Sequence, residues 1–414
     1  MPKRKKNIAR ATDTPIPAGF IREMESLYGA EETERLAEAI NGVPSVSVRV
    51  NRRKVSDPTE FMSLFTDYGP SPVPWCDSGF YLEQRPDFNR DPLLYAGAYY
   101  VQEAASMYYE TLVRKILKTL PREEGEILKV LDVCAAPGGK TTAILNALTG
   151  KYLLVANEYE PSRVRILREN LDRWGDPNVI ITNSDSRSLA RVGAIFDIVA
   201  VDAPCSGEGM MRREPVARTQ WNPGLVESCS RLQREIVTNA VETLRPGGIL
   251  IYSTCTFNRN ENERNAIYFE KEFGLTPLME PRRFMPHRER CEGLFVSAFR
   301  KPEADTPVWK NASLVDMDKL LRQAGVKVKS CGIEQSVRKG ELEIPSSRRV
   351  LAWDYDRKEF PEAPLSLEEA RSYLQGNALR LGEDIARGFV AVTYECYPLG
   401  LVKNIGTRAN NMKI

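Results

Sequence analysis

Two cysteines in this chain each follow a strand-like apolar run, and cysteine can attack an electrophilic carbon. Cys205 follows the run IFDIVAVDAP, which also carries Asp202, and Cys255 follows GGILIYST. A thiol at the mouth of a strand, beside a cofactor loop, is placed to form a transient covalent bond with a substrate. Two such thiols on neighbouring strands suggest that one forms the adduct and the other helps to break it.

Composition narrows the chemistry further. The only histidine among 414 residues is His287, which excludes nearly all histidine-based mechanisms and any multi-histidine metal site. Eight cysteines without a CxxC pair indicate neither a disulfide framework nor a structural zinc site. Of these, Cys76, Cys229 and Cys396 are expected to be inert and buried. Cysteine, carboxylate or lysine must therefore supply the chemistry, and no metal is expected.

Hydropathy and charge indicate where the protein works and on what. No segment approaches the roughly 20 apolar residues that cross a bilayer, and no signal-peptide core is present, so we expect a soluble, cytoplasmic protein without a membrane partner. We also expect it to be a monomer. The net charge is only +2, but basic residues cluster locally. Such clusters suit a phosphate-bearing substrate, although solvated surface charge explains each equally well. The clusters are Lys3 to Lys6, then Arg49, Arg52, Arg53 and Lys54, then Arg212, Arg213 and Arg218.

Alternating strand and helix patterns divide the chain into three segments. Residues 1–91 combine two short helices with the strand SVSVRVN, which indicates a small α+β module. Residues 92–302 alternate apolar strands with helices, which predicts a mostly parallel sheet covered on both faces, with LFVSAFR as an antiparallel edge. Residues 306–414 follow a polar linker and predict a β-rich domain with one helix from Ser366 to Gln375.

A glycine-rich loop, CAAPGGKTT, joins the first strand of the middle segment to a helix. Its spacing fits neither the phosphate-binding P-loop nor the dinucleotide fingerprint, which leaves a nucleoside with little or no phosphate as the expected ligand. Glu158 follows the next strand, at the distance from Gly138 where an acidic residue binds ribose hydroxyls. Asp185 follows the third strand and is placed to meet the base. Helix capping would explain each residue singly but not the set.

Three motifs resemble those of the RNA cytosine-5 methyltransferases of the NSUN/Fmu type: CAAPGGKTT, VDAPCSGEGMMRR and YSTCTFNRNENE. The resemblance is greatest to the RsmF-like branch, which modifies 16S ribosomal RNA, and it extends to YYVQEAASM, RVNRRK and PLGLVKNIG. It implies an α/β fold with a Rossmann-like class I methyltransferase domain that uses S-adenosylmethionine. That domain would lie between an N-terminal RNA-binding module and a C-terminal PUA-like RNA-binding domain.

The resemblance also implies roles for individual residues. Cys255 would be the nucleophile, and Cys205 would be the thiol that assists product release. The implied partner is RNA, either ribosomal RNA or the small ribosomal subunit, with tRNA as an alternative. The residues implied to bind S-adenosylmethionine are Cys134, Ala135, Ala136, Pro137, Gly138, Gly139, Lys140, Glu158, Asp185 and Asp202.

The same chemistry can be argued from the residues. C5 of cytosine is a poor nucleophile, and addition of a thiolate to C6 makes C5 enamine-like. Lys140 can stabilise the thiolate, and Asp202 can hydrogen-bond the cytosine edge. The target base must be unpaired or flipped out of its helix. The loop 207–223 is a candidate wall for that base, with Met210, Met211, Arg212, Arg213 and Trp221. Alternatively, Trp221 and the two methionines simply pack under the loop.

Three alternatives stay open at this point. Exocyclic-amine methylation is disfavoured because the motif DAPC has cysteine where an aromatic residue would stack on the base. In DNA cytosine-5 methylation the thiol after proline would be the nucleophile, and Cys255 would be dispensable. A non-catalytic ribosome-assembly factor would need neither Cys205 nor Cys255.

Overall fold

The computed structural model describes residues 14–121, 125–304, 309 and 312–412. The basic cluster Lys3 to Lys6 and the predicted start of the third segment at 306 lie outside these ranges. Within the described ranges, no helix combines the length and apolar character that a membrane span requires.

The N-terminal module contains a four-stranded antiparallel sheet in the order β2-β3-β1-β4. The alternation in SVSVRVN forms β1 and buries Val48 and Val50. The sheet continues past the predicted boundary at residue 91, because β4 pairs with β1. Its elements are α1 (Ala18–Tyr28), α2 (Ala30–Asn41), β1 (Val46–Val50), α3 (Pro58–Phe61), β2 (Pro70–Val73), β3 (Cys76–Leu82), α4 (Pro92–Tyr95) and β4 (Tyr99–Val101).

The two helices α1 and α2 do not cover the sheet of their own module. Phe20 and Met24 of α1 and Leu36 of α2 are buried in a cluster with Trp221 and Phe257 of the middle segment. The N-terminal helices therefore pack directly on the loops that follow the predicted catalytic strands.

The middle segment forms the predicted parallel sheet with helices on both faces. Its order is β10-β12-β9-β8-β5-β6-β7-β13, with β11 also on β12. The elements are α5 (Tyr108–Leu117), β5 (Leu128–Asp132), α6 (Gly139–Ala147), β6 (Tyr152–Asn157), α7 (Pro161–Trp174), β7 (Val179–Thr182), α8 (Ser186–Ala190), β8 (Phe196–Asp202), α9 (Pro215–Gln220), α10 (Pro223–Thr243), β9 (Leu244–Thr254), α11 (Glu263–Phe273), β10 (Thr276–Pro277), β11 (Arg282–Phe284), β12 (Leu294–Arg300), α12 (Leu314–Gln323) and β13 (Val328–Cys331).

Strands β5 to β9 are parallel, and β12 runs antiparallel as expected. Two details differ from the sequence-based prediction. The outermost strands on the β12 side are β10 and β11, so LFVSAFR is not the edge. At the opposite edge β13 pairs with β7, and Met317 and Leu321 of α12 are buried against the same sheet. This part of the predicted third segment therefore packs with the middle one.

The C-terminal domain is β-rich, as predicted. Helix α13 begins at a capping box between Ser366 and Glu369, which fixes its start within one residue of the prediction. The four-stranded sheet has the order β16-β17-β18-β19, and Tyr373 and Val390 lie in its core. The elements are β14 (Ser336–Lys339), β15 (Leu342–Pro345), β16 (Glu362–Pro364), α13 (Leu367–Leu374), β17 (Gly388–Tyr394), β18 (Tyr397–Asn404) and β19 (Ala409–Asn411).

Candidate active site

The candidate site lies where the strand order of the parallel sheet reverses. Strand β5 is central, with β6 on one side and β8 on the other. The glycine-rich loop follows β5 and the Cys205 loop follows β8, so both leave the sheet at the crevice where such sheets bind ligands. Asp202 of β8 pairs with Ser253 of β9, which brings the two thiol-bearing loops to the same edge.

Cys205 and Cys255 meet at this edge. Their Sγ atoms are 3.1 Å apart, and the backbone N–H of Cys255 lies 3.4 Å from the Cys205 sulfur. The amide of Gly209 donates to the Cys255 carbonyl at 2.7 Å. A Cβ at position 209 would lie 2.8 Å from that carbonyl oxygen, so the close approach of the loops requires glycine. The hydrogen bond with Cys255 and burial together raise the pKa of Cys205 well above its ordinary value.

Lys140 and Asp202 form an ion pair beside the thiols. The ammonium Nζ lies 2.8 Å from Asp202 Oδ2, and Ser253 donates to Asp202 Oδ1 at 2.7 Å. The Tyr109 hydroxyl in turn lies 2.8 Å from the Ser253 hydroxyl. Desolvation lowers the pKa of Lys140, but the Asp202 carboxylate outweighs it and the net pKa is raised. Lys140 is therefore a fixed positive charge at neutral pH.

A cavity of about 640 Å³ opens next to this pair. Its volume falls in the range of small-molecule sites. The six predicted site residues that line it are Cys134, Ala136, Glu158, Asp185, Asp202 and Cys205. The other residues of the loop, Ala135, Pro137, Gly138, Gly139 and Lys140, form its turn and the start of α6 instead of the cavity wall.

The turn depends on one glycine. Gly138 has a φ of 108°, a conformation that side chains rarely adopt, and it is the N-cap of α6. Substitution of Gly138 would strain the backbone that carries the cavity wall.

Glu158 supplies the best evidence that a nucleoside fits the cavity. The side chain is buried, and its Oε1 accepts from the Glu160 amide at 2.8 Å. Its Oε2 is buried without a hydrogen-bond partner, although Arg163 Nη1 lies 3.3 Å away. A buried carboxylate oxygen without a donor is costly, and a ribose hydroxyl would satisfy it. The residues present thus fit the sugar of S-adenosylmethionine.

Asp185 is placed differently from Glu158. It is exposed at the cavity rim and caps α8, where it accepts from the Ser188 amide at 2.7 Å. That backbone hydrogen bond lowers the pKa of Asp185. The residue thus keeps a carboxylate at the rim, and its predicted contact with the base stays a prediction.

The structure also places three residues at the site that the sequence-based analysis did not name. Asn157 ends β6, donates to the Val133 and Ser184 carbonyls, and so connects three strand ends below the cavity. Tyr159 lines the cavity and is 70 % exposed. Asp132 ends β5 and accepts from Thr141 at 2.6 Å, and burial raises its pKa to about 7. In the sequence, the polar residues that end KYLLVAN and ILKVLD could have indicated Asn157 and Asp132.

Two members of the basic cluster near residue 50, Arg49 and Lys54, are bound to other parts of the chain. Arg49 is completely buried and donates to Gln102 and Thr142 at 2.6 Å each. Lys54 donates to the Ala96 and Arg173 carbonyls, and burial lowers its pKa to about 7. These side chains join the N-terminal module to the catalytic sheet. The expectation that they contact substrate phosphate is therefore wrong for Arg49 and Lys54.

The basic side chains of the third cluster, Arg212, Arg213 and Arg218, also bind other groups of the same chain. Arg212 and Arg213 share the buried Glu292 carboxylate, at 3.2 and 3.0 Å. Arg218 is buried and donates to the carbonyls of Met211 and Ile40. Both contacts hold the loop after Cys205 against the rest of the chain.

Packing explains the apolar residues of the same loop. Met211 and Trp221 are buried with the N-terminal helices, so the reading that they pack beneath the loop is correct and they form no wall for a base. Of the three cysteines expected to be buried, Cys76 is buried, Cys229 is half-buried and Cys396 is exposed at the turn between β17 and β18. Within the described residues, no cluster of three or more histidine, cysteine, aspartate or glutamate side chains could hold a metal ion.

Comparison with known proteins identifies the family of this chain. The family model described as 16S rRNA methyltransferase RsmB/F matches residues 117–300. "Ribosomal RNA small subunit methyltransferase F" from Salmonella heidelberg is 32% identical, and the match covers 96% of this chain and 95% of that protein. The same protein from Salmonella enteritidis is also 32% identical over the same shares. The chain belongs to the RsmF family.

Further matches follow the architecture of the RsmF family. The RsmF N-terminal domain matches residues 16–104 and the RsmF PUA domain matches residues 360–412. A methyltransferase homolog from Pyrococcus horikoshii is 30% identical with a TM-score of 0.58, over 68% of this chain and 94% of that one. NSun6 from the same organism, solved with SFG, has a TM-score of 0.59 at 21% identity, over 70% and 99% of the chains.

These matches confirm the predicted fold class: a methyltransferase domain between an N-terminal module and a PUA domain. Members of the RsmF family are methyltransferases that depend on S-adenosylmethionine, as the resemblance implied, and the cavity beside Glu158 fits that cofactor.

Proposed function

We propose that this protein methylates C5 of a cytosine in 16S ribosomal RNA, through a covalent bond between Cys255 and C6 of the base. The observation that carries the proposal is the 3.1 Å contact between the sulfurs of Cys205 and Cys255 beside the cofactor cavity. Two thiols in contact suit a reaction that both forms and breaks a covalent adduct. The names of the Salmonella relatives supply the RNA class.

Activation of Cys255 requires its thiolate. The Cys205 thiol lies within hydrogen-bonding distance of the Cys255 sulfur, and its own pKa is well above the ordinary value. Cys205 therefore stays protonated and can donate a hydrogen bond to the attacking sulfur of Cys255. The Lys140 ammonium adds a positive charge on the same side of the site.

The addition step changes the reactivity of the base. Cys255 adds to C6, which makes C5 nucleophilic, and the proposed role of the Asp202 carboxylate is to stabilise the protonated N3 edge. S-adenosylmethionine supplies an electrophilic methyl carbon when it is bound in the adjacent cavity. Transfer of that methyl group to C5 would break its bond to the sulfonium sulfur, release S-adenosylhomocysteine and leave a tetrahedral C5 that carries both the methyl group and a proton.

Release of the product requires loss of the C5 proton. Once Cys255 is bonded to C6, neither its hydrogen bond nor its charge as a thiolate raises the pKa of Cys205, and burial alone continues to do so. The pKa of Cys205 therefore falls, which favours its action as the base. Removal of the proton restores the C5–C6 double bond and expels the Cys255 thiolate. The proposed roles thus assign the nucleophile to Cys255 and the base to Cys205.

Two thiols at 3.1 Å would be prone to oxidation outside a reducing compartment, so we also propose a cytoplasmic location. RNA is the proposed partner, and the C-terminal domain, matched by the RsmF PUA model, is proposed to bind it. The domains assigned to these roles are residues 1–91, 92–302 and 306–414, with α12 and β13 contributing to the catalytic sheet.

The test is a substrate comparison with site mapping. Purified protein and S-adenosylmethionine would be incubated with naked 16S ribosomal RNA, small ribosomal subunits and tRNA, and 5-methylcytosine mapped by bisulfite sequencing. We expect conversion-resistant cytosine in 16S ribosomal RNA. Methylation of tRNA alone, or of another atom of the base, would contradict the proposal. Absence of methylation in every substrate would favour a non-catalytic assembly factor.

A further inference from the structure

A buried carboxylate lies between the two thiol-bearing loops. Glu208 is three residues after Cys205 and is completely buried. Its Oε2 accepts from the backbone amides of Phe257 and Asn258, at 2.6 and 3.0 Å. Its Oε1 accepts from the Trp221 indole at 2.9 Å and from the Asn258 side chain at 3.0 Å. One side chain therefore connects the loop after Cys205 to the loop after Cys255.

All four hydrogen bonds at Glu208 are donated to it, and this determines which side chain the position can accept. An ionised carboxylate offers only acceptors, whereas the amide of glutamine or a protonated acid carries hydrogens. In a glutamine the NH₂ group would face N–H donors whichever way the amide is turned. The position thus fits an ionised carboxylate better than the amide of glutamine.

The backbone that Glu208 holds is the backbone that carries Cys255. Phe257 is two residues beyond the thiol, and its carbonyl accepts from the Tyr28 hydroxyl and from Arg283 at 2.7 Å each. The neighbouring Gly209 amide donates to the Cys255 carbonyl itself. The segment from Cys255 to Phe257 is therefore fixed by hydrogen bonds on both sides, and Glu208 supplies the only charged acceptor among the contacts just named.

Burial of Glu208 is unfavourable for stability alone. The surrounding cluster contains Phe20, Trp221 and Phe257, and burying a charge that is not paired with an opposite charge is costly in such surroundings. Burial raises the pKa of Glu208 to about 7, although its hydrogen bonds act in the opposite direction. A carboxylate kept at this cost points to a requirement for position rather than packing.

We infer that Glu208 is a positioning residue for the covalent step: its carboxylate fixes the Cys255 loop so that the thiol faces Cys205 and the target base. The inference rests on the proposed role of Cys255 as nucleophile. Displacement of a reacting group by about 1 Å can cost roughly 10²-fold in rate, so the effect of losing the four hydrogen bonds should be large.

The decisive variant is Glu208→Gln, with Glu214→Gln as the matched control. Glu214 belongs to the same loop but is exposed, and its side chain does not cap α9. We expect Glu208→Gln to lower kcat by roughly 10²-fold while the KM for RNA and the affinity for S-adenosylmethionine stay close to wild type. The rate of adduct formation with 5-fluorocytidine-substituted RNA, in which C5 carries no removable proton, should fall by the same factor. Glu214→Gln should match the wild type in each measurement.

Glu208→Asp separates position from folding. It keeps the charge and the four acceptor sites but shortens the side chain, so it should retain more activity than Glu208→Gln. If Glu208→Gln fails to fold, the aspartate variant decides: a lower kcat with unchanged thermal unfolding supports positioning, and wild-type kcat overturns it. Equal kcat in Glu208→Gln and Glu214→Gln also overturns it. If Cys255→Ala is inactive at the same time, only this inference fails; if Cys255→Ala turns over normally, the proposed function fails.

Discussion

The sulfur atoms of Cys205 and Cys255 lie 3.1 Å apart although 50 residues separate them in the chain. Parallel pairing of β8 with β9 explains the contact, because Asp202 and Ser253 are register partners and each thiol follows within three residues. A slip of one residue in that register would turn one strand's side chains to the opposite face. The sheet therefore sets the geometry of the thiol pair, and the loops refine it.

The unsatisfied oxygen of Glu158 gives a prediction about cofactor affinity. Glu158→Gln should weaken binding of S-adenosylmethionine by roughly ten- to a hundredfold, because a hydrogen bond to a charged group is worth about 1.5–3 kcal/mol. Isothermal titration calorimetry with the cofactor alone measures the effect. Glu169→Gln is the control, since Glu169 lies exposed on α7 away from the cavity. Equal dissociation constants for the two variants would remove Glu158 from the cofactor site.

Two C-terminal deletions of different length should distinguish a loss of RNA binding from a loss of stability. Deletion of residues 361–414 removes the whole sheet β16–β19, and we expect weaker binding to 16S ribosomal RNA with unchanged affinity for S-adenosylmethionine. Deletion from residue 306 also removes α12 and β13, whose Met317 and Leu321 are buried on the catalytic sheet. The longer deletion should therefore lower the thermal unfolding temperature by several degrees more. RNA affinity that survives the shorter deletion would contradict the proposed role of the domain.

The pKa of Asp132 predicts a pH dependence of stability. Burial raises it from 3.8 to about 7, so the folded state holds this proton more tightly than the unfolded chain does. Its contribution to the free energy of unfolding is complete below about pH 4 and is lost as the pH rises to about 7. Relative to Asp132→Asn, which does not titrate, the wild type should lose up to a few kcal/mol over that interval. Urea denaturation of both proteins from pH 4.5 to pH 8 tests this, and parallel curves would refute it.

The sequence predicts this fold well where local pattern is sufficient. The strands around Asp202 and Cys255 follow from apolar runs with polar ends, and helix α13 follows from its capping box. A parallel sheet then brings the strand ends together whatever the loops contain. This is why the thiols and the glycine-rich loop could be placed at one site before the structure was known.

Other features depend on partners far along the chain. Arg49 resembles a surface cation in RVNRRK, and only its contacts with Gln102, Thr142 and Glu110 reveal that it is buried. Glu208 likewise resembles a solvated loop residue in the sequence, and only the packing of Trp221 and Phe257 around it shows that it is buried. Strand β13 pairs with β7 across a register shift, and its sequence lacks the strong apolar alternation that would predict a strand. Tertiary contacts decide these positions, and local sequence carries little of that information.

The most direct test of the central claim compares Cys205→Ala with Cys255→Ala on denaturing gels after incubation with RNA and S-adenosylmethionine. If Cys255 forms the bond to C6 and Cys205 removes the C5 proton, Cys205→Ala should accumulate a protein–RNA band that survives denaturation. Cys255→Ala should give neither that band nor methylated RNA, while its cofactor affinity stays at the wild-type value. A stable band from Cys255→Ala would reverse the roles of the two thiols, and normal turnover by Cys255→Ala would contradict covalent catalysis by this residue.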